Sequence, residues 1–383
     1  MPTNWIKSDW LKEALFVVAL SLILLLLVDY FLGYKILYNA PIRTRNNAER
    51  GLGIIHPIYH HSLAANYKGL TSFDQQSEYP FCTNDGGFKS DCNNIINGKD
   101  FDIAFLGDSF TEGIGLPYEK TFVGLIASQL PEKKIANLGV AWYSPSIYYM
   151  KLVELLNQGY TFKELVVYID ISDIPNEANY TIIDGKVVDT TENTSKHYPF
   201  PLINFGLKGF KSRFLQDTKL GPHVKNLDLN DKIYQRDDKS GWTYNGSNKG
   251  FGKIGLNGSI EKSVDLLEKI HALCKKNNIK LSIGVYPWPG QILYDTEESR
   301  QVKIWRDFCT DKCDHFYNSF PTFFKLVEGT SKKEFISQYY FNGDMHFNEA
   351  GNRLIATDFL RIYQQGVHQK KPLDVAAHPK GLV

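Results

Sequence analysis

The sequence predicts an α/β protein, a three-layer α/β/α sandwich around a mainly parallel sheet of about five strands, preceded by an N-terminal transmembrane helix. Three observations carry this expectation. Beyond residue 100, short apolar runs alternate with stretches whose apolar residues recur at spacings of three and four. A nearly unbroken apolar segment occupies residues 14–34. The run at residues 101–106 stops abruptly at a glycine, an aspartate and a serine, the pattern of a strand that turns sharply into a helix.

The N-terminal segment, "ALFVVALSLILLLLVDYFLGY", approaches the roughly 20 apolar residues that cross a bilayer. Trp5 and Trp10 on one side and Tyr30, Phe31 and Tyr34 on the other suit interfacial belts. The downstream "KILYNAP" supplies no A-x-A-like cleavage site, which favours an uncleaved anchor. Its orientation is open. Lys35, Arg43, Arg45 and Arg50 follow the span and pull the bulk of the chain inward, whereas cysteine spacing favours an oxidising compartment. Cys82 with Cys92 and Cys309 with Cys313 each flank a short loop, leaving Cys274 on an apolar helix face; five reduced thiols is the alternative.

The 383 residues carry a net charge of +1, with no basic stripe to track a phosphate backbone, so nucleic acid is excluded as a partner. No Cys/His spacing suits zinc, and no cofactor or metal is called for. The "HPIYHH" run at residues 56–61 reads as a solvated or sugar-facing segment rather than a metal site.

The expected strands are "DIAFLG" (102–107), "KIANLG" (134–139), "ELVVYID" (164–170), "KLSIGVYP" (280–287) and "CDHFYNSF" (313–320). Helical periodicity appears at 118–130, 144–158, 260–278 and 297–308. Chain organisation follows: a tail (1–13), the anchor (14–34), a linker and N-terminal extension (35–100), the α/β domain (101–366) and a flexible tail (367–383). A polar insertion at 177–257 interrupts the domain and holds a hairpin signal, "TIIDGKVVD", with Asp184-Gly185 suited to a type I′ turn.

In a parallel α/β sheet, ligands bind at the carboxyl ends of the strands, which is where Ser109 falls. A serine there is either a nucleophile or a plain N-cap. The distant "DMHFNEAG" places Asp344 and His346 two residues apart before the last helix, so that one loop could supply a base and the carboxylate that orients it.

Together "GDSFTEG" (107–113), the glycine of "NLGVAWYSP" (Gly139) and "DMHFNEAG" (344–351) resemble the SGNH/GDSL family of esterases and acyltransferases, over residues 102–363. The resemblance implies a flavodoxin-like fold with Ser109 as nucleophile, His346 as base and Asp344 as orienting acid. It implies an oxyanion hole from the Ser109 and Gly139 N–H groups with a side-chain donor at Ser172, where "YIDISD" replaces the family's G-x-N-D block. Phe110 stands where the family has leucine.

"DMHFN" and "VYPWPGQIL" are similar to the membrane-anchored branch that modifies exported polysaccharides, such as the alginate O-acetyltransferase-like proteins. That branch implies catalysis outside the cytoplasm, a glycan or other acylated substrate, and a membrane-embedded acyl-donor partner. Asp108, Asp173, Trp288, Gln291 and Asn348 are the substrate-binding candidates; for Trp288 the alternative is a core residue. The functional expectation is a serine esterase or O-acetyltransferase. The alternatives are an SGNH-fold glycan-binding or assembly protein without turnover, and a structural membrane protein.

Overall fold

The computed structural model describes residues 5–29, 51–73, 77–190, 241–246 and 251–370, with backbone alone at 5–9, 11 and 366–370. Two units divide the chain, one of residues 1–46 with 192–227 and one of residues 47–191 with 228–383. In the first, helix α1 (Trp5–Val28) is described. The expected span at 14–34 overlaps this helix over residues 14–28. No helix among the described residues is long and apolar enough to cross a membrane, and residues 30–34 lie outside the described residues.

The second unit is organised by one sheet. Strands β1 (Gly53–His56) and β2 (His60–Leu63) form a separate antiparallel pair. Next come β3 (Lys68–Thr71), β4 (Tyr79–Thr83), β5 (Lys89–Ser90), β6 (Asp100–Leu106), β7 (Ile135–Asn137) and β8 (Thr161–Tyr168). The hairpin β9 (Tyr180–Ile183) and β10 (Lys186–Asp189) precedes β11 (Lys280–Val285) and β12 (Phe316–Asn318). The main sheet has 8 strands in the order β12-β11-β8-β6-β7-β5-β4-β3. Its parallel part, β12-β11-β8-β6-β7, contains the strands expected from sequence, and their order is the flavodoxin-like one.

Strands covered on both faces need near-continuous apolar runs. Ile103, Ala104, Phe105 and Leu106 of β6 and Leu165, Val166 and Val167 of β8 are all buried. The sequence reading is corrected at the 35–100 segment. Within it β3, β4 and β5 extend the sheet antiparallel from β7, so these strands belong to the main sheet and the sheet is mixed. These strands hold two to five residues each and carry no periodic signal.

The hairpin forms as expected, with Asp184 (φ 49°) and Gly185 (φ 71°) both left-handed, as a type I′ turn requires. The rest of the insertion, 191–240 and 247–250, lies outside the described residues. Helix α11 (Glu349–Lys370) takes up the first residues of the expected tail; residues 371–383 lie outside the described residues.

Disulfides join Cys82 to Cys92 and Cys309 to Cys313, and Cys274 is a buried thiol that burial pushes up to about 12. In protein from an oxidising compartment, all but Cys274 should resist maleimide under denaturing conditions until reductant is added. Losing the Cys82–Cys92 link is expected to cost about 2–4 kcal/mol in chemical denaturation. Labelling of both cysteines of a pair without reductant would show that the pair is not joined.

Candidate active site

The turn after β6 is built for close approach. At Gly107 a Cβ would lie 2.1 Å from Thr111 Oγ1, so no side chain fits. Asp108 caps the single-turn helix α2 (Ser109–Glu112), its Oδ1 accepting the Phe110 N–H at 3.0 Å. Gly113, left-handed at φ 73°, ends that helix. Ser109 therefore stands at the carboxyl end of β6, between β7 and β8, where the strand order reverses direction.

The loop before α11 meets it. Ser109 Oγ lies 2.7 Å from His346 Nε2, and His346 Nδ1 lies 2.5 Å from Asp344 Oδ1. Because a carboxylate only accepts, Nδ1 carries the proton and Nε2 is the bare nitrogen that accepts from the serine. Asp344 Oδ1 also accepts the His346 N–H at 2.9 Å, which fixes the loop and the ring together. The ring packs on Phe110 at 4.7 Å and against Phe73 at 5.3 Å. The structure thus brings Ser109, His346 and Asp344, distant in sequence, into one hydrogen-bonded chain.

The oxyanion donors differ from expectation. Ser109 offers its N–H, which makes no hydrogen bond among the described residues. The Gly139 N–H, expected there too, donates to Asn137 Oδ1 at 3.0 Å. Gly139 is glycine because a Cβ there would come within 2.5 Å of the Glu112 backbone nitrogen, so it lets this loop press on α2. The Ser172 N–H donates to Asp170 Oδ1 at 2.7 Å, and its hydroxyl also engages Asp170.

Beside Ser109 lie three buried carboxylates, Asp108, Asp170 and Asp173, with oxygens within 4.8 Å of one another. They are the group among the described residues with spacing for a cation. Hydrogen bonds already occupy most of their oxygens: Trp288 Nε1 donates to Asp170 at 2.6 Å, and the Tyr148 hydroxyl to Asp173 at 2.9 Å. Burial, then mutual repulsion, holds Asp108 and Asp173 well above the usual carboxylate range; burial raises Asp170 as well. Asp108 and Asp173, the expected substrate contacts, sit in this internal cluster, which keeps protons where exposed acids lose them.

A native pKa above the unfolded value of 3.8 means that stability is lost as pH rises from that value through the native one. Asp173→Asn removes an ionisation and keeps an acceptor. The variant is expected to resist denaturant better than the parent at pH 8, with the gap closing towards pH 4. A lower midpoint for the variant at pH 8 would refute this protonation pattern.

The other substrate candidates also serve the architecture. Trp288 is 6% exposed, and its N–H is committed to Asp170. Gln291 is fully buried, accepting the Trp288 N–H at 3.0 Å and donating to Gln301 Oε1 at 3.0 Å. Asn348 caps α11, accepting the Ala350 N–H at 2.9 Å while donating to the Gln338 and Tyr340 carbonyls. His61, expected in a solvated run, is buried, and burial pulls it down to about 4. Being neutral, it donates from Nε2 to the Ala141 carbonyl at 2.8 Å.

Several participants escaped the sequence reading. Buried Glu112 accepts the Ala141 N–H at 2.7 Å. Lys89 binds the Gly113 and Leu116 carbonyls at 2.9 and 2.7 Å, and Lys151 the Leu138 carbonyl at 2.9 Å; burial pulls these amines to about 8 and about 7. Trp142, in the same loop as Gly139, is left-handed at φ 70° and 55% exposed. A non-glycine residue held there was the one signal that sequence could not carry.

No family model and no curated protein matches the chain. Among solved structures it is similar to a member of the lipolytic G-D-S-L family from Veillonella parvula, at 14% identity and TM-score 0.36, covering 69% of this chain and 98% of that one. It is also similar to an acetylxylan esterase from Geobacillus stearothermophilus, at 11% identity and TM-score 0.37, covering 69% and 93%. An esterase from Pseudoalteromonas sp. overlaps at 11% identity and TM-score 0.35, covering 71% and 100%.

Proposed function

We propose that this chain is a serine-dependent acyl-ester hydrolase or O-acyltransferase of the SGNH/GDSL kind, acting on an extracytoplasmic glycan. The observation that carries this reading is the chain of contacts from Ser109 Oγ to His346 Nε2 at 2.7 Å and from His346 Nδ1 to Asp344 at 2.5 Å. Its position at the switch point of a parallel sheet supports it. Two disulfides support an exported domain, and "DMHFN" supports the polysaccharide-modifying branch.

Ser109 Oγ attacks the ester carbonyl carbon while its proton passes to His346 Nε2, and Asp344 steadies the imidazolium. The Ser109 N–H receives the oxyanion. As the tetrahedral adduct collapses, the bond to the alcohol oxygen breaks and His346 returns the proton to it. Water or a sugar hydroxyl then resolves the acyl-serine by the same steps in reverse order.

A weak catalyst is the second reading, favoured by the Gly139 N–H and the Ser172 hydroxyl being used internally. One missing donor costs roughly 10² to 10³ in rate. The test is turnover of p-nitrophenyl acetate, with labelling by a fluorophosphonate, compared with Ser109→Ala. Labelling with slow turnover supports the second reading; neither labelling nor turnover in the folded protein would overturn both.

A further inference from the structure

We infer that Lys89 is a positioning residue for the acyl-transfer reaction, an inference that rests on the reading above: from β5 it clamps residues 113–116, the turn that spaces Ser109 from His346. Its ammonium donates to both ends of that turn, to the Gly113 carbonyl at 2.9 Å and the Leu116 carbonyl at 2.7 Å. From β4 the Tyr79 hydroxyl accepts the Gly115 N–H at 3.0 Å, so two neighbouring strands grip the turn at three points. Both strands lie before residue 100, ahead of the stretch that carries the family motifs.

The clamped turn is linked to both reacting groups. On one side the Gly113 and Ile114 N–H groups donate to the Ser109 carbonyl, each at 3.1 Å. On the other, Gly115, left-handed at φ 82°, packs so closely on Phe341 that a Cβ would come within 2.7 Å of its ring. The Phe341 N–H donates to the His346 carbonyl at 2.9 Å. Phe73, which also borders Gly115, meets the imidazole at 5.3 Å. A single helical turn such as α2 is not held in place by its own hydrogen bonds. A shift of residues 113–116 therefore changes the spacing of Ser109 Oγ and His346 Nε2, which is 2.7 Å when the clamp is set.

Lysine is an expensive residue to put there. Lys89 is 1% exposed, with its Nζ 4.7 Å from the Phe81 ring and 5.7 Å from the Tyr79 ring. An apolar residue would fill that space without burying a charge. It could not supply a pair of charge-assisted donors, which are about twice as strong as neutral ones. The charged groups facing the ammonium are Glu112, from α2, and Glu119, from the exposed turn Tyr118–Lys120. Burial pulls the amine down to about 8, and these two carboxylates oppose the pull. The neutral amine keeps N–H donors but loses their charge, so the clamp weakens as pH rises through about 8.

The test follows p-nitrophenyl acetate turnover from about pH 6 to about pH 10 in the parent, Lys89→Met and Glu119→Lys, with denaturant midpoints alongside. The parent's kcat should fall about tenfold as pH rises through about 8. Lys89→Met keeps the stem and loses the ammonium. Its kcat is expected about 10²-fold below the parent's near neutral pH, with KM little changed and no alkaline fall. Glu119→Lys, on the surface, should move the fall to lower pH at low ionic strength, by less than about one unit. That shift singles out Lys89, because the other buried amine, Lys151, faces Glu112 instead. An alkaline fall that persists in Lys89→Met, or a variant that loses stability but keeps the parent's kcat, would overturn the assignment. Should Lys89→Met not fold, a fall that stays in place in Glu119→Lys overturns it. If the parent neither turns over the ester nor reacts with a fluorophosphonate, the acyl-transfer reading fails by itself. Nitrogen NMR of histidine-labelled protein then still decides the clamp. The His346 Nε2 resonance must move, in Lys89→Met or in the parent above about pH 8, towards its place in Ser109→Ala, where the serine contact is gone. A resonance that stays in place overturns the assignment.

Discussion

Ser109→Ala, His346→Ala and the double variant are expected to fall to one common floor of ester turnover, roughly 10⁵ to 10⁶ below the parent. The geometry dictates non-additivity. With Ser109 Oγ 2.7 Å from His346 Nε2, the hydroxyl has no other good acceptor, since Asp108 Oδ2 lies 3.4 Å away. Removing the serine leaves the base with nothing to deprotonate, and removing the base leaves the hydroxyl protonated. Asp344→Asn should lose less, about 10⁴, because an amide facing Nδ1 favours the wrong tautomer without removing the ring. Circular dichroism and denaturant midpoints would check that each variant folds. Ester turnover that persists in both single variants would end the proposal, and losses that multiply in the double variant would mean that the residues act separately.

Phe110→Ala is expected to produce the largest loss of stability, about 3–5 kcal/mol. Its ring lies 4.9 Å from Tyr286, 4.7 Å from His346, 5.1 Å from Phe347 and 5.9 Å from Trp288. Cutting it to a methyl group opens a hole between the nucleophile's turn and the base's loop, and the packing around the imidazole goes with it. Turnover should fall even where the protein remains folded. Phe110→Leu, the residue usual in the family's motif, should cost less than about 1.5 kcal/mol if the pocket closes around it. A Phe110→Ala midpoint shift worth under about 1 kcal/mol would show that the ring is not central to the site.

The parallel strands were legible because strands buried on both faces must be apolar throughout, as 103–106 and 165–167 are. Helix α4 (Pro145–Asn157) and helix α6 (Gly255–Lys276) were legible through their spacing. Strands β3 to β5 were not, because pieces of two to five residues owe their pairing to the β7 edge rather than to any period of their own.

Within the site, the chain by itself offered Ser109, Asp344 and His346 as candidates, and the structure brings the three into one hydrogen-bonded chain. Tertiary structure alone decided which polar groups face outward. Trp288, Gln291 and Asn348 read as ligand-binding types, yet each spends its hydrogen-bonding capacity inside the fold. Lys89, Lys151 and Glu112 are of types that ordinarily stay in water, yet they are buried bracing the loops around α2. Gly139 has its N–H turned to Asn137. The physical reason is common to all of them. A residue's chemistry is local and is written in its letter, whereas its partners and its burial belong to segments far along the chain, brought together only when the sheet closes over its core.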